Sequence, residues 1–471
     1  MKKDWDSAVK RAKQALNINV DHLLKAEEYS VAFKYALSDN EPTMCKLSQL
    51  AKILPANPDA GKAFTALKKC SNYRSRVLQT AREGKYSEAL APELLIYPNP
   101  LSPQKISTWT PGEFFHGIIC ADMHLFTNEF FALAVDAFTA DSSIKGQARF
   151  NLLGLKDSWI DEKRCVTRAI LVDFEQLRLI ETDFLKPKKL DSVQFVSLGA
   201  NEIELHQSLS KRLECVQVNP FQHSWPADDK ISSYKLWKSR SIPIPETLPI
   251  TKINKSAINF VEKYEEVILK PNSATGGYGA TFLRSAIDLR RVWTDASNHT
   301  EWILQARKDT VLFKKSDNDQ PQTLVIRLNV GGQTPSSLKV ESVYTQIGAD
   351  RWSPASTKHD SRIISKQDLK GKTGYFEGKH WRPLELNDLF WSQAYTLAEQ
   401  AASIYPGLFL AGIDLIVDVD STDQPTCIVL EANARPAGLC RSLCIKDGKP
   451  KISSQLWKTL YDSICFQQKE I

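Results

Sequence analysis

The stretch CIVLEANARPAG, residues 427–438, runs four apolar positions into a glutamate, an asparagine and an arginine. Glu431 and Asn433 are two apart, so they share one face of an extended strand. Just upstream, AGIDLIVDVD and PTCIVLEAN read as two strands, and the intervening DSTDQP supplies the polar and proline residues of a tight connection. With the hairpin centred between Thr422 and Asp423, Val419 faces Thr426 and Asp414 falls opposite Glu431. Two carboxylates and one amide then converge. Side by side, two carboxylates repel and one takes up a proton; a divalent cation removes that penalty. An all-oxygen set of this kind suits magnesium, which prefers a few protein oxygens together with phosphates and water. Asp414, Glu431 and Asn433 are therefore the candidate metal ligands. Asp418 shares their face but lies nearer the turn and is left out. The opposite face, Ile413, Leu415, Val417, Ile428 and Leu430, is expected in the core. The plainer reading is a pair of surface hairpin charges. The apolar residues of both strands argue for covered strands, where carboxylates need partners.

Other stretches carry groups suited to anions. In EEVILKPNSATGGYGATFLRS, Val267 to Leu269 form a short apolar strand that delivers Lys270. A small polar loop follows, then a second strand, Ala280 to Leu283. Three glycines in the loop let backbone N–H groups approach an anion closely. A Walker-type loop would need a following helix and a Gly-Lys-Ser/Thr ending, and the sequence has neither. Lys230 opens a helix that runs to about Ser239, ahead of an extended Pro-x-Pro segment. Trp302 to Gln305 form a further strand, and QTLVIRLNVGG alternates into Arg327.

Taken in order, these residues carry a resemblance. Lys230 after two aspartates, Lys270 before Pro271, the loop Ser273–Gly279, Asp414 in GIDL and Glu431 to Pro436 in EANARP resemble the ATP-grasp superfamily. The likeness is to its carboxylate–amine ligases, which include the D-alanine–D-alanine ligases, and it spans roughly residues 193–445. It implies that Lys230 and Lys270 reach the phosphates of ATP, and that Ser273, Thr275, Gly276, Gly277 and Gly279 fold over them. It implies that Gln305 and Lys308 meet the purine on a linker near 302–308, that Asp309 stands at the ribose, and that Mg²⁺, with Mn²⁺ as a substitute, sits on Asp414, Glu431 and Asn433. Arg327 and Arg435 are the catalytic candidates. The reaction implied is attack of a carboxylate on the γ-phosphate, giving an acyl phosphate and ADP, followed by attack of an amine and loss of phosphate. Guanidinium groups would stabilise the oxygens that gain charge. In several such ligases an arginine stands just before the aspartate; here that place holds Gly412-Ile413. The substrates implied are a small carboxylate and an amine, an amino acid or small peptide. The alternatives are another acceptor (a thiol, bicarbonate or a phosphotransfer partner) at the same site, or a nucleotide-binding regulator without turnover.

The elements that must position these groups define a mixed α/β fold. Residues 193–228 read as strand, helix, strand with a parallel pair, a pre-ATP-grasp unit. Residues 229–471 are expected to hold a two-lobed ATP-grasp domain and a tail, with a helix over DLFWSQAYTLAEQAASIYP stopped by Pro406-Gly407. The polar segment 335–380 is expected to be a long substrate-facing loop region. Residues 1–105 read as helical, from apolar positions such as Trp5, Val9, Ala12 and Leu16. The region 106–192 is mixed: GEFFHGIICADMHLFTNEFFALAVDAF reads as one or two buried helices bearing His116 and His124, and CVTRAILVDFEQLRLIETDFL as paired strands. These amino-terminal regions are open to three roles: shaping specificity, recruiting a partner or supporting a homo-oligomer.

Composition bounds the classes. The chain has 471 residues and a net charge of +6, with 61 basic against 55 acidic residues. The excess is spread out, so no nucleic-acid footprint is expected; a mild positive bias suits an anionic substrate. No apolar run is long enough for a membrane span, and the charged start MKKDWDSAVKRAKQAL is not a signal peptide. Nine cysteines without framework spacing suggest reduced thiols and a cytoplasmic location. Cys440 and Cys444 are a close pair, but a zinc site would need two further ligands that are not near.

Overall fold

The computed structural model describes residues 114–120, 150–173, 178–196, 202–273, 279–293, 301–316, 318–332, 337–355, 362–436 and 454–469, with isolated helical positions at 130, 133, 134 and 137. The expected helices of 1–105, His124, and Cys440 with Cys444 lie outside the described residues. The fold is mixed α/β, as the alternating strand and helix patterns required. The chain divides into two compact units, 1–218 with 437–471, and 219–436.

In the first unit, β1 (Phe114–Ile119), β2 (Phe150–Leu155), β3 (Cys165–Asp173), β4 (Arg178–Lys189), β5 (Ser192–Phe195) and β6 (Val216–Val218) form one sheet in the order β4-β3-β2-β1-β5-β6. The expected parallel pair is β5 with β6, bridged by α1 (Glu202–Arg212). The expected strand pair over Cys165 onward is the antiparallel β3 and β4. One reading changes: the start of the expected buried helix is strand β1. FFHGII is apolar on both faces, as strands covered on both sides are, and helix and strand cannot be told apart in so short a run. β1 pairs in parallel with both β2 and β5, so segments 106–192 and 193–218 contribute to a single sheet rather than to separate regions. His116 is fully buried on β1, where its Nδ1 lies 2.8 Å from Ser192 Oγ and Trp457 stands edge-on to its ring.

Among the described residues the second unit has three sheets. β7 (Thr247–Ile250), β8 (Val267–Pro271), β9 (Thr281–Leu283) and β10 (Trp302–Ala306) make an antiparallel sheet, order β7-β10-β8-β9. Its apolar face, with Val267, Leu269, Leu283 and Leu304, packs on α4 (Lys255–Tyr264) and α5 (Ala286–Trp293). β11 (Leu312–Phe313) joins a small sheet with β15 (Thr373–Glu377) and β16 (His380–Pro383). The third sheet, order β14-β13-β12-β17-β18, comprises β12 (Leu324–Gly331), β13 (Lys339–Ile347), β14 (Arg362–Ile364), β17 (Leu410–Val419) and β18 (Pro425–Asn433). Ile326, Leu328, Val330, Ile413, Leu415 and Val429 turn one face of it onto α6 (Asp388–Ala402), the helix expected from DLFWSQAYTLAEQAA. The segment 335–380, expected to be loop, contributes β13, β14, β15 and the start of β16, and polar residues of β13 such as Glu341, Ser342, Thr345 and Gln346 are buried. α2 (Phe221–Asp228) and α3 (Lys230–Ser239) complete this unit, and α7 (Ser454–Lys469) belongs to the first. α3 has the bounds expected from the sequence.

Candidate active site

The hairpin β17–β18 brings Asp414 opposite Glu431, as alternation required, but by another register. Near the turn, Val419 pairs with Pro425 rather than Thr426, and a β-bulge between Asp414 and Leu415 restores the pairing further up. The extra residue is Leu430. It changes which side chains reach the core: Val429 is buried there, whereas Ile428 and Leu430 are only partly buried. Leu430 instead lines a cleft with Glu431, Lys230, Lys270 and Gln305.

On this face of the sheet, Arg327 of β12 pairs in register with Asp414. Its guanidinium grips the carboxylate bidentately, Nη2 to Oδ2 at 2.8 Å and Nε to Oδ1. Asn433 Nδ2 donates to the same Oδ2 at 3.3 Å. Gly412 makes room for this: a Cβ there would stand 2.9 Å from Arg327 Nη1. The arginine thus comes from the neighbouring strand and lies over the glycine of GIDL. The Asp414 and Glu431 carboxyls stand opposite one another on the paired strands, close enough for each to shift the other's titration. Burial pushes Asp414 up, Arg327 opposes this, and Glu431 raises it again; the net shift is upward. Burial would also raise Glu431, but Lys230, Lys270 and Arg327 around it more than reverse the effect, and its pKa is lowered.

Both lysines arrive from separate elements. Asp229 caps α3, its Oδ1 accepting from Ser232 N at 2.7 Å, and so sets Lys230 at the first helical position. Lys230 Nζ donates to the Asn272 carbonyl at 3.0 Å. Lys270 is buried on the cleft side of β8. Burial and the like charge of Lys230 push its pKa down, against Glu431 and Asp414, to about 8. Lys230 is likewise lowered by burial, opposed by Glu431, Asp228 and Asp229. Asn272 ties the two elements together: its Oδ1 accepts from Ile231 N at 3.0 Å, and its Nδ2 donates to Asp229 Oδ2 at 2.5 Å and Glu301 Oε2 at 3.1 Å. The sequence reading passed over Asn272; its place directly after Lys270-Pro271 was the available signal.

Of the expected loop, Ser273 is exposed, and Thr275, Gly276 and Gly277 lie outside the described residues. Gly279 has φ +70°, and a Cβ there would meet Pro271 Cγ at 2.9 Å, so this position calls for glycine. Gln305 sits on the cleft face of β10 and donates from Nε2 to Thr247 Oγ1 at 3.1 Å. Lys308 is exposed, and neither it nor Asp309 lines the cleft. Asp309 is held by Arg307 through two hydrogen bonds of 2.7 and 3.2 Å, which commits its carboxylate elsewhere. Arg435 is buried against Asp228 at 2.7 Å, and Asp228 also accepts from Ala434 N at 3.3 Å. The arginine therefore anchors the end of β18 to α2. Asp228 and Asn219 were not singled out in the sequence. Asn219 receives Phe409 N at 2.7 Å and donates to the carbonyls of Leu410 and Ala434, clipping the ends of β17 and β18.

Neither a family model nor a curated protein matches the chain. Solved structures do. The chain is similar to the D-alanine–D-alanine ligase from Coxiella burnetii at 12% identity and a TM-score of 0.48, over 76% of this chain and 97% of that one. It is similar to the D-alanine–D-alanine ligase from Bacillus anthracis complexed with ATP at 12% identity and a TM-score of 0.46, over 76% and 99%. It is similar to a D-Ala:D-Ser ligase from Enterococcus faecalis at 14% identity and a TM-score of 0.47, over 74% and 99%.

Among the described residues no group of three or more histidine, cysteine, aspartate or glutamate side chains is placed to hold a metal ion. A cation at this site would rest on two acids, the amide oxygen of Asn433 and oxygens from outside the protein. The facing carboxyls of Asp414 and Glu431 are the kind of pair that a divalent cation relieves, and the hard-oxygen set fits Mg²⁺.

Proposed function

We propose that this chain is an ATP-dependent ligase that joins a small carboxylate to an amine. The observation that carries the reading is the convergence of two lysines, the buried Lys270 and the half-buried Lys230, on the carboxylate of Glu431 in one cleft. Burying cations is costly unless an anion answers them. A nucleotide triphosphate does so, and a divalent cation held by Asp414, Glu431 and Asn433 would then neutralise its phosphates and the paired acids together. Lys230 and Lys270 bind and orient the phosphates. Arg327, next to the acids, spreads the charge that gathers on the carboxylate and phosphate oxygens when a substrate carboxylate attacks the γ-phosphate. The acyl phosphate so formed is then open to an amine, with phosphate leaving. The acceptor is proposed to be an amino acid or small peptide.

The test is incubation of the chain with ATP, Mg²⁺ and pooled amino acids, following ADP, phosphate and new amide products by mass spectrometry. Amino-acid-dependent ADP release supports the ligase. AMP and pyrophosphate in its place would defeat the acyl-phosphate route. One observation favours a second reading: with Arg327 gripping both oxygens of Asp414, a regulator that binds nucleotide without turnover accounts for ATP binding and no release under any acceptor.

A further inference from the structure

The cleft contains an acceptor whose orientation is decided by its neighbours. Gln305 is 5% exposed, and its Oε1 is buried without a hydrogen-bond partner. An amide can present either oxygen or NH₂ to a ligand, and coordinates alone do not distinguish them. Here the chemistry of the next residue does. Thr247 Oγ1 lies 3.0 Å from the carbonyl of Pro245, which only accepts, so the hydroxyl proton is spent there. Thr247 Oγ1 can then only accept from Gln305, 3.1 Å away, and the group facing it must be the NH₂. The amide oxygen is thereby fixed as the free end. Tyr234, another hydroxyl of the cleft, donates to Glu246 Oε2 at 3.0 Å, and the Ala306 N–H donates to the Glu246 carbonyl at 2.9 Å.

We infer that Thr247 is a positioning residue for nucleobase selection: by orienting Gln305, it makes the cleft accept a 6-aminopurine, whose exocyclic amine donates to Oε1, and reject a 6-oxopurine, which would set oxygen against oxygen. The inference rests on the nucleotide reading of the cleft, and the experiment separates the two. Binding of AMP-PNP and GMP-PNP with Mg²⁺ to the full chain is measured by titration calorimetry, which requires no knowledge of the substrates. The wild type should favour AMP-PNP by about tenfold or more, the margin expected when a buried polar group is left unpaired by the wrong ligand. Thr247→Val frees the amide to turn, and the preference should collapse toward unity. Thr247→Ser should restore it. In the Thr247→Val background, Gln305→Glu should restore it too, because a carboxylate presents an acceptor in either orientation. A merely structural role for Thr247 would lower both affinities together and leave their ratio unchanged, which overturns the inference, as does equal binding of both nucleotides by the wild type. Binding of neither nucleotide overturns the nucleotide reading itself.

Discussion

Asp414 already holds a cation, the Arg327 guanidinium, in a buried pair. Removing one member of such a buried pair leaves the other uncompensated, and Arg327→Leu should cost about 3–5 kcal/mol in denaturant unfolding. Gly412→Ala tests the same arrangement from the other side. Its Cβ would force Nη1 away from its place, so a loss of about 1–3 kcal/mol is expected, with weaker binding of Mg²⁺–ATP. Glu431→Gln keeps the shape and removes the charge that answers Lys230 and Lys270; turnover should vanish while the circular dichroism spectrum stays the same, and near-normal activity would refute the metal assignment. Glu431 and Asn433 were legible at this scale because strand alternation puts them on one face, whereas Asp414 joins them only through the bulge at Leu430. The Arg327–Asp414 grip was not, since it depends on which strand lies beside β17. Arg435 was named, but its bond to Asp228 shows how little a residue's type says about its partner.

Elements deliver these groups, and their ends matter most. Asp229 both caps α3 and holds Asn272, so Asp229→Ala should cost about 1 kcal/mol for the cap alone. It should also weaken ATP binding, read by calorimetry, because Lys230 and the start of the Ser273 loop lose their common tie. The bulge at Leu430 is the clearest departure from the simple pattern. β18 lies between β17 and the extended Pro-x-Pro segment, and Val429 N donates to the Pro243 carbonyl at 2.9 Å. Past that point the pairing runs with one more residue on β18 than on β17. Alternation in the sequence offers no sign of it. The strands of 335–380 were hidden for a related reason: β13 buries polar residues such as Glu341, Ser342 and Gln346, which read as loop when neither face is known to be covered.

At the scale of the molecule, each unit has its own core, so each has its own response to conditions. Burial pushes His116 of the first unit down to about 3, opposed by Gln194. Between that value and its ordinary pKa of 6.5, the unfolded chain holds a proton the folded unit lacks. Stability should therefore fall as pH drops through this window, by up to about 1.4 kcal/mol per pH unit from this group. Urea unfolding at pH 7, 6 and 5 should show that part of the slope disappear in His116→Gln. No helix among the described residues is long and apolar enough to cross a membrane. What the sequence by itself determined is the set of local facts: which residues alternate on a strand, where Lys230 opens a helix, where Lys270 stands near the end of a strand, and that Glu431 and Asn433 share a face. These follow from backbone periodicity and turn chemistry, which act over a few residues. The tertiary structure alone decided which strand lies beside which. That choice sets Arg327 on Asp414, Asn272 between Asp229 and Glu301, Thr247 behind Gln305, and β1 beside β5, because contacts between distant segments arise from packing whole faces and leave no short-range mark.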